Sequence, residues 1–273
     1  GCEGTLKPSH CIMRVDDLTA DELYRLQTII ERIHDDYLSW TPPFERKQLP
    51  EKAAMEGISR GEPRARYLTF TVALNYNRDA RRLWETTRRL WDEESWLFDP
   101  RTLVVDYDRP DVVDVFERNG IRYWRRDAAT WYQIASTLVE SYRGSVLSLV
   151  ASVECDAVRL LSRVRTEEFP FLGGEKIGPL WCRLLHEDVV RLDRIGEIPI
   201  PVDVHVRRVS GELVGVFESD DDVREFWDEF CALSGFDPVL VDQPLWLIGT
   251  HWDEWGREYL AEVCSAVDEI PDE

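Results

Sequence analysis

Apolar residues recur at helical spacing over most of the chain. In LTADELYRLQTIIERIHDDYL, Leu23, Leu26, Ile29, Ile30 and Ile33 fall on one face, and Thr19 with Glu22 has the spacing of a capping box. The stretch 64–91 predicts two helices separated by the polar break Asn75-Tyr76-Asn77. Further helices are predicted over 127–142, 154–165 and 219–234, the last opened by Ser219 with Asp222. A final helix is predicted over roughly 243–267, carrying Leu245, Leu247, Trp252, Trp255, Tyr259 and Val263. Strand-like alternation is confined to short pieces such as TLVVDYD and PVDVHV. The pattern predicts an all-α fold.

No internal repeat or low-complexity segment interrupts this pattern. The proline-rich pieces TPPFERKQLP and IPIPVD are the strongest punctuation. They suggest an N-terminal helical region (1–63) that packs with a C-terminal lobe (196–273), and between them a central helical lobe (64–195) holding a hairpin at 169–181.

Composition narrows the function. A chain of 273 residues with 44% hydrophobic content can bury a sizeable core. Its 53 acidic residues outweigh 33 basic ones for a formal charge of −20, which argues against a broad basic face, a membrane surface or an acidic partner. Of the basic residues only Lys7, Lys47, Lys52 and Lys176 are lysines. A salt-rich cytoplasm fits this balance, and a genomic bias toward arginine codons would mimic part of it. No run of about 18 apolar residues predicts a membrane helix, and the first residues lack the pattern of a secretory signal. Cys2, Cys11, Cys155, Cys182, Cys231 and Cys264 show neither a CxxC pair nor a regular framework, so reduced and mostly buried thiols are expected.

Two segments carry candidate chemistry. In FPFLGGEKIGPLW, Gly173-Gly174 lies between the apolar stretches VECDAVRLLSRV and IGPLWCRLL. Glycines there permit positive φ and a close backbone approach, and the next helix offers free N–H groups to an anion such as a phosphate; an ordinary turn between helices explains the pair equally well. Downstream, Asp203 in PVDVHVRRV reads as the N-cap of a helix carrying Val206, Val209 and Leu213. His205 has no second ligand at metal-binding spacing and reads as a packed or capping histidine.

Together these segments resemble the helix-hairpin-helix DNA glycosylase superfamily, which includes endonuclease III and 8-oxoguanine DNA glycosylase. The family pattern is an apolar-Pro-Gly-apolar-Gly hairpin with a lysine two residues after its second glycine, followed by a Val-Asp-x-His segment. Gly174, Lys176 and PVDVHVRRV match it, and the resemblance extends over roughly 64–249. Leu172 stands where the first glycine is expected. Lys176 and Asp203 lie 27 residues apart, a separation closer to archaeal 8-oxoguanine glycosylases than to endonuclease III. Only Cys264 follows Cys231, so the four-cysteine iron–sulfur loop is missing and no cofactor or metal is expected.

The resemblance implies two helical lobes with a DNA-binding cleft between them. It implies a base-excision-repair glycosylase with lyase activity, acting on double-stranded DNA that contains a damaged base, with 8-oxoguanine the first substrate to test. Lys176 would be the nucleophile, lowered in pKa by an apolar wall of Ile177, Leu180 and Trp181, and Asp203 would stabilise the cationic sugar. Arginine cannot replace such a lysine, because it stays protonated. Asn75, Tyr76 and Asn77 would supply the wedge, although an ordinary helix-breaking loop reads equally well from turn propensity. Backbone phosphates would be met by Gly173, Gly174, His205, Arg207 and Arg208, and by arginines near Arg78 and Arg81. The base pocket would draw on Gln243, Trp246, Leu247 and Leu180. A monomer working in the cytoplasm or on the nucleoid is the corresponding expectation. Two alternatives stay open: a non-catalytic helix-hairpin-helix protein that binds DNA or a partner, and a monofunctional glycosylase for adenine or alkylated bases.

Overall fold

The computed structural model describes residues 13–269; Cys2, Lys7 and Cys11 lie outside them. The described chain is all-α, without a β-strand; an isolated parallel bridge joins Asp156 to Asp193. Its helices are α1 (Ala20–Leu38), α2 (Pro50–Ala54), α3 (Glu62–Ala73), α4 (Ala80–Glu93), α5 (Pro100–Asp106), α6 (Arg109–Arg118), α7 (Trp124–Tyr142), α8 (Val146–Ser152), α9 (Ala157–Thr166), α10 (Ile177–Asp188), α11 (Val204–Leu213), α12 (Asp220–Ser234), α13 (Pro238–Thr250) and α14 (Arg257–Asp268).

Local chemistry sets the helix starts. The capping boxes Thr19–Glu22 and Ser219–Asp222 both form, each with reciprocal side-chain and backbone bonds. The strand-like TLVVDYD is helical instead, because Asp99 accepts from the amides of Arg101 and Thr102 while Pro100 fills the first helical position. PVDVHV likewise becomes helical from Val204. The helix predicted from 154 begins at Ala157, since Asp156 caps it. The long C-terminal helix starts earlier than predicted, at Pro238, and is interrupted by a π-turn over Trp252–Gly256, where the Gly256 amide reaches back to His251 O at 2.8 Å.

The chain divides into two compact units: the described part of Gly1–Glu45 with that of Val202–Glu273, and Arg46–Pro201. In the first, α1 packs on α13 and α14, and α11 on α13. Leu26, Ile29, Ile30 and Ile33 of α1 are buried, as are Phe226, Trp227 and Phe230 of α12. Two polar pairs lie within this core: Trp227 Nε1 donates to Ser210 Oγ at 2.8 Å, and Tyr259 OH to Asp36 Oδ2 at 2.9 Å.

The second unit is built around α3, which is apolar on nearly every side and buried from Tyr67 through Leu74. α4, α7, α8 and α10 pack against it. Phe70 stacks on Trp131 at 4.8 Å, and Trp131 Nε1 donates to Leu97 O at 2.7 Å. Trp181 of α10 donates to Thr69 Oγ1 at 2.9 Å, which fixes the rotation of α10 against the central helix. Among the described cysteines, all with free thiols, Cys182 and Cys231 are buried, while Cys155 and Cys264 are partly exposed.

The far end of α10 is held by charge. Lys52 Nζ, almost wholly buried, binds Glu187 at 2.8 Å and Asp188 at 2.5 Å. Two carboxylates at a helix C-terminus oppose the helix dipole, so this ammonium offsets an otherwise unfavourable arrangement. Removing it leaves two partly or fully buried carboxylates without their cation. We expect Lys52→Met to lower stability by about 3 kcal/mol in urea unfolding; a loss below 1 kcal/mol would mean the pair is neutral to folding.

Candidate functional site

The hairpin is a ten-residue turn joining α9 to α10. Phe169 and Leu172 point into the core, and the turn closes with the Gly174 amide donating to Phe171 O at 3.1 Å. The left-handed residue is Phe171, with φ of 68°, and neither Gly173 nor Gly174 has positive φ. What Gly173 supplies is space: a Cβ there would sit 2.5 Å from Arg165 Cγ and 3.2 Å from Arg165 Cα. Arg165 seals this approach by donating from Nε to Gly173 O at 2.8 Å. Leu172, at the place of the expected first glycine, is fully buried, so the turn exchanges an open backbone for an apolar anchor.

Lys176 is the N-cap residue of α10 and is half-buried. No side chain caps the helix; the Gly178 amide bonds Gly174 O at 2.8 Å and Pro179 has no N–H, which leaves the Ile177 amide for another acceptor. Ile177 and Trp181 beside it are buried, and Leu180, one turn along, is partly exposed. Among the described residues no carboxylate pairs with Lys176. Lys52, by contrast, is a structural cation, so lysine in this chain is not reserved for chemistry.

The polar break between α3 and α4 lies beside the hairpin. Tyr76 is 49% exposed, yet one face of its ring stacks on Phe171 at 6.1 Å and 29°. Asn75 is partly exposed; Asn77 is exposed with φ of 51° and receives Arg122 Nη1 on its carbonyl at 3.4 Å. Arg78 turns inward into an ion pair with Asp127 at 2.7 Å, both side chains being at least 95% buried, so it is not presented to solvent as a phosphate contact. Arg81 is exposed.

A group that the sequence pattern did not single out completes this face. The Tyr123 ring carries the guanidinium carbons of Arg126 at 4.3 Å, Arg122 at 5.0 Å and Arg78 at 5.2 Å, and Arg126 also lies 5.4 Å from the Phe171 ring. The signal was present in RYWRRD, three arginines around two aromatics in an acidic chain.

Asp203 belongs to the other unit. Its Oδ1 accepts from the amides of His205 at 2.9 Å and Val206 at 3.0 Å, so it is the N-cap of α11. Oδ2 bears no hydrogen bond among the described residues. His205 Nδ1 lies 3.1 Å from Gly249 O and therefore carries the hydrogen, leaving Nε2 for another partner. Its backbone sits directly on α13: a Cβ at Gly249 would be 2.5 Å from His205 O. Trp246 is half-buried with its ring edge-on to His205, at 6.1 Å.

The remaining predicted residues are more committed. Arg207 donates to Asp220 Oδ1 and to the carbonyls of Phe217 and Glu218, tying α11 to the turn before α12. Arg208 is exposed and touches Gly249 O at 3.3 Å. Gln243 is buried and accepts from Tyr37 OH, and Leu247 is a fully buried core residue. No group of three or more His, Cys, Asp or Glu among the described residues is arranged to hold a metal ion, and no described helix is long and apolar enough to cross a membrane.

No protein-family model matches the chain. It is similar to an N-glycosylase/DNA lyase of Methanopyrus kandleri, 34% identical over 67 residues that make up 24% of this chain and 25% of that protein. The match thus spans a quarter of the relative's own length.

The two hairpin glycines should respond differently to alanine. At Gly173 the new methyl meets Arg165 backbone and side chain, and we expect a loss of about 2 kcal/mol. At Gly174 it meets only Phe171 O at 3.2 Å, and a loss under about 1 kcal/mol is expected. Chemical denaturation of both variants checks the order; equal losses would remove the close approach as the reason for Gly173.

Proposed function

We propose that the protein is a DNA glycosylase with lyase activity, using Lys176 as nucleophile and Asp203 as its electrostatic partner. The observation that carries this reading is Lys176 itself: a half-buried lysine at the uncapped start of α10, next to a closed turn, with no carboxylate paired to it among the described residues. The similarity to an N-glycosylase/DNA lyase supports the same chemistry.

The reaction needs the damaged nucleotide outside the base stack. The unprotonated Nζ of Lys176 attacks the sugar C1′, the glycosidic bond breaks, and the base departs with its electron pair and takes up a proton. Opening of the sugar ring, with loss of the amine proton, leaves an imine between Nζ and C1′. Removal of a proton from C2′ then expels the 3′ phosphate. Asp203, ionised, offsets positive charge on the sugar through Oδ2 while Oδ1 stays on the α11 amides.

DNA is engaged without a broad basic face. Tyr76, exposed at the tip of its loop, fills the place of the extruded base, and the strip of Arg122 and Arg126 over Tyr123 with Arg125 over Trp124 takes up backbone phosphates. The Ile177 amide at the start of α10 offers one more phosphate contact, and the exposed guanidinium of Arg208, next to His205 on α11, a second. Trp246 and Leu180, both partly exposed, remain the candidates to pack against the base. Gln243 and Leu247, buried on the same helix as Trp246, serve as its support. 8-Oxoguanine is the first substrate, and a monomer acting on cytoplasmic or nucleoid DNA is the working form.

Borohydride trapping on a panel of oxidised, deaminated and abasic duplexes tests this directly. We expect a covalent adduct for the wild-type chain and none for Lys176→Arg. The absence of any adduct on every substrate would leave a non-catalytic binder or a monofunctional glycosylase, which base-release assays then separate. Asparagine also caps helices, so Asp203→Asn should fold normally, bind duplex almost unchanged and cleave roughly 10²- to 10⁴-fold more slowly. Parallel losses of binding and rate would reduce Asp203 to a cap.

A further inference from the structure

Phe171 is an unusual choice for a left-handed residue. A bulky side chain at φ of 68° is strained and persists only where surrounding contacts hold it. Those contacts form a closed circuit within one unit. Phe171 stacks on Tyr76; the Arg126 guanidinium covers the Phe171 ring and donates to Asp127 Oδ1 at 3.2 and 3.3 Å. Asp127 Oδ2 pairs with Arg78 at 2.7 Å, and Arg78 is only two residues beyond Tyr76 in the chain. Arg122 closes the remaining side by bonding Asn77 O. On the hairpin, Phe171 O accepts the Gly174 amide, and Lys176 follows two residues later.

We propose that Phe171 and Arg126 are positioning residues that couple the Asn75–Asn77 loop to the lysine-bearing turn, so that the loop cannot be displaced without releasing the strained turn. The proposal rests on the reading of Tyr76 as the wedge and Lys176 as the nucleophile. Its physical content is that two segments distant in sequence share one packing arrangement. Entry of Tyr76 into DNA removes one wall of the Phe171 ring, and the seating of Lys176 then depends on Arg126 alone.

Glycine separates ring from backbone. Phe171→Gly adopts φ of 68° without strain, so a purely conformational role predicts wild-type behaviour. Coupling predicts instead a folded protein whose single-turnover cleavage at saturating duplex falls about tenfold while duplex affinity holds, with Phe171→Tyr restoring the rate. Arg126→Lys, which keeps the charge and loses the planar cover, should behave like Phe171→Gly and carries the test if the glycine variant does not fold.

Hydrogen exchange of the free chain gives a readout that needs no activity. Tyr76→Leu should accelerate exchange across 171–176, and Tyr76→Leu with Phe171→Gly should be no faster than the faster single variant. Additive effects, an unchanged hairpin in Tyr76→Leu, or a fully active Phe171→Gly would overturn the coupling. A wild-type chain that traps no substrate would overturn the glycosylase reading alone, because the exchange measurements still decide whether loop and hairpin are linked.

Discussion

The structure depends on a helix with unlike ends. α10 is closed by side chains at its C-terminus and by none at its N-terminus. Besides Lys52 bound to Glu187 and Asp188, Arg60 donates to the carbonyls of Glu187 and Val189, and Arg64 to that of Asp188. These groups satisfy the acceptors that every helix leaves over at its end. The start of α10 is closed only by its own backbone: the Gly178 amide bonds Gly174 O at 2.8 Å and Pro179 has no N–H, while the N-cap lysine side chain cannot accept from the amide of Ile177. With Trp181 fixing rotation against α3, the helix cannot turn or slide to hide that end. Whatever Lys176 does, its place at the positive end of a clamped helix follows from packing that lies a dozen residues away.

How much of this was legible in the sequence depends on the range of the interaction. Thr19–Glu22, Ser219–Asp222 and the Asp203 cap are local, and each appears in the structure as its spacing implies. TLVVDYD misled because alternation over a few residues is weaker than a proline and a capping aspartate at a helix start. α2, α6 and α8 are short, and their burial is decided by neighbours rather than by their own period. Lys176 stood out by rarity, yet Lys52 shows that rarity also marks a buried ion pair. Gly173-Gly174 signalled the turn correctly while the positive φ fell on Phe171, whose ring is held by Tyr76 from the α3–α4 loop and Arg126 from α7. No window on the sequence contains that contact.

Arginine usage ties the acidic composition to the site. Much of the positive charge is spent inside the molecule: Arg78 on Asp127, Arg25 on Asp268, Arg194 on Asp156 and Glu197, Arg207 on Asp220 and two carbonyls. The planar fork suits this work, since one guanidinium can satisfy several acceptors at once. Arg122 and Arg125 differ in being held over Tyr123 and Trp124, where the aromatic faces carry the guanidinium groups without neutralising them, while Arg126 beside them shares its charge with Asp127. A chain of net −20 can thereby present a local cationic strip without a broad basic face.

The same economy governs the carboxylate. Asp203 Oδ1 is bound by two backbone amides of α11, so the orientation of the group is set by the fold and not by mobile water. A helix start also favours negative charge through its dipole. The geometry leaves Oδ2 as the oxygen able to act on a ligand, with its direction already fixed. Capping therefore uses one oxygen to aim the other, and a carboxylate held in this way needs no reorganisation to meet a positive charge. Lys176 follows the converse logic: its cationic side chain stands at a helix start, where the dipole disfavours positive charge, beside the one first-turn amide, that of Ile177, that neither backbone nor side chain takes up among the described residues.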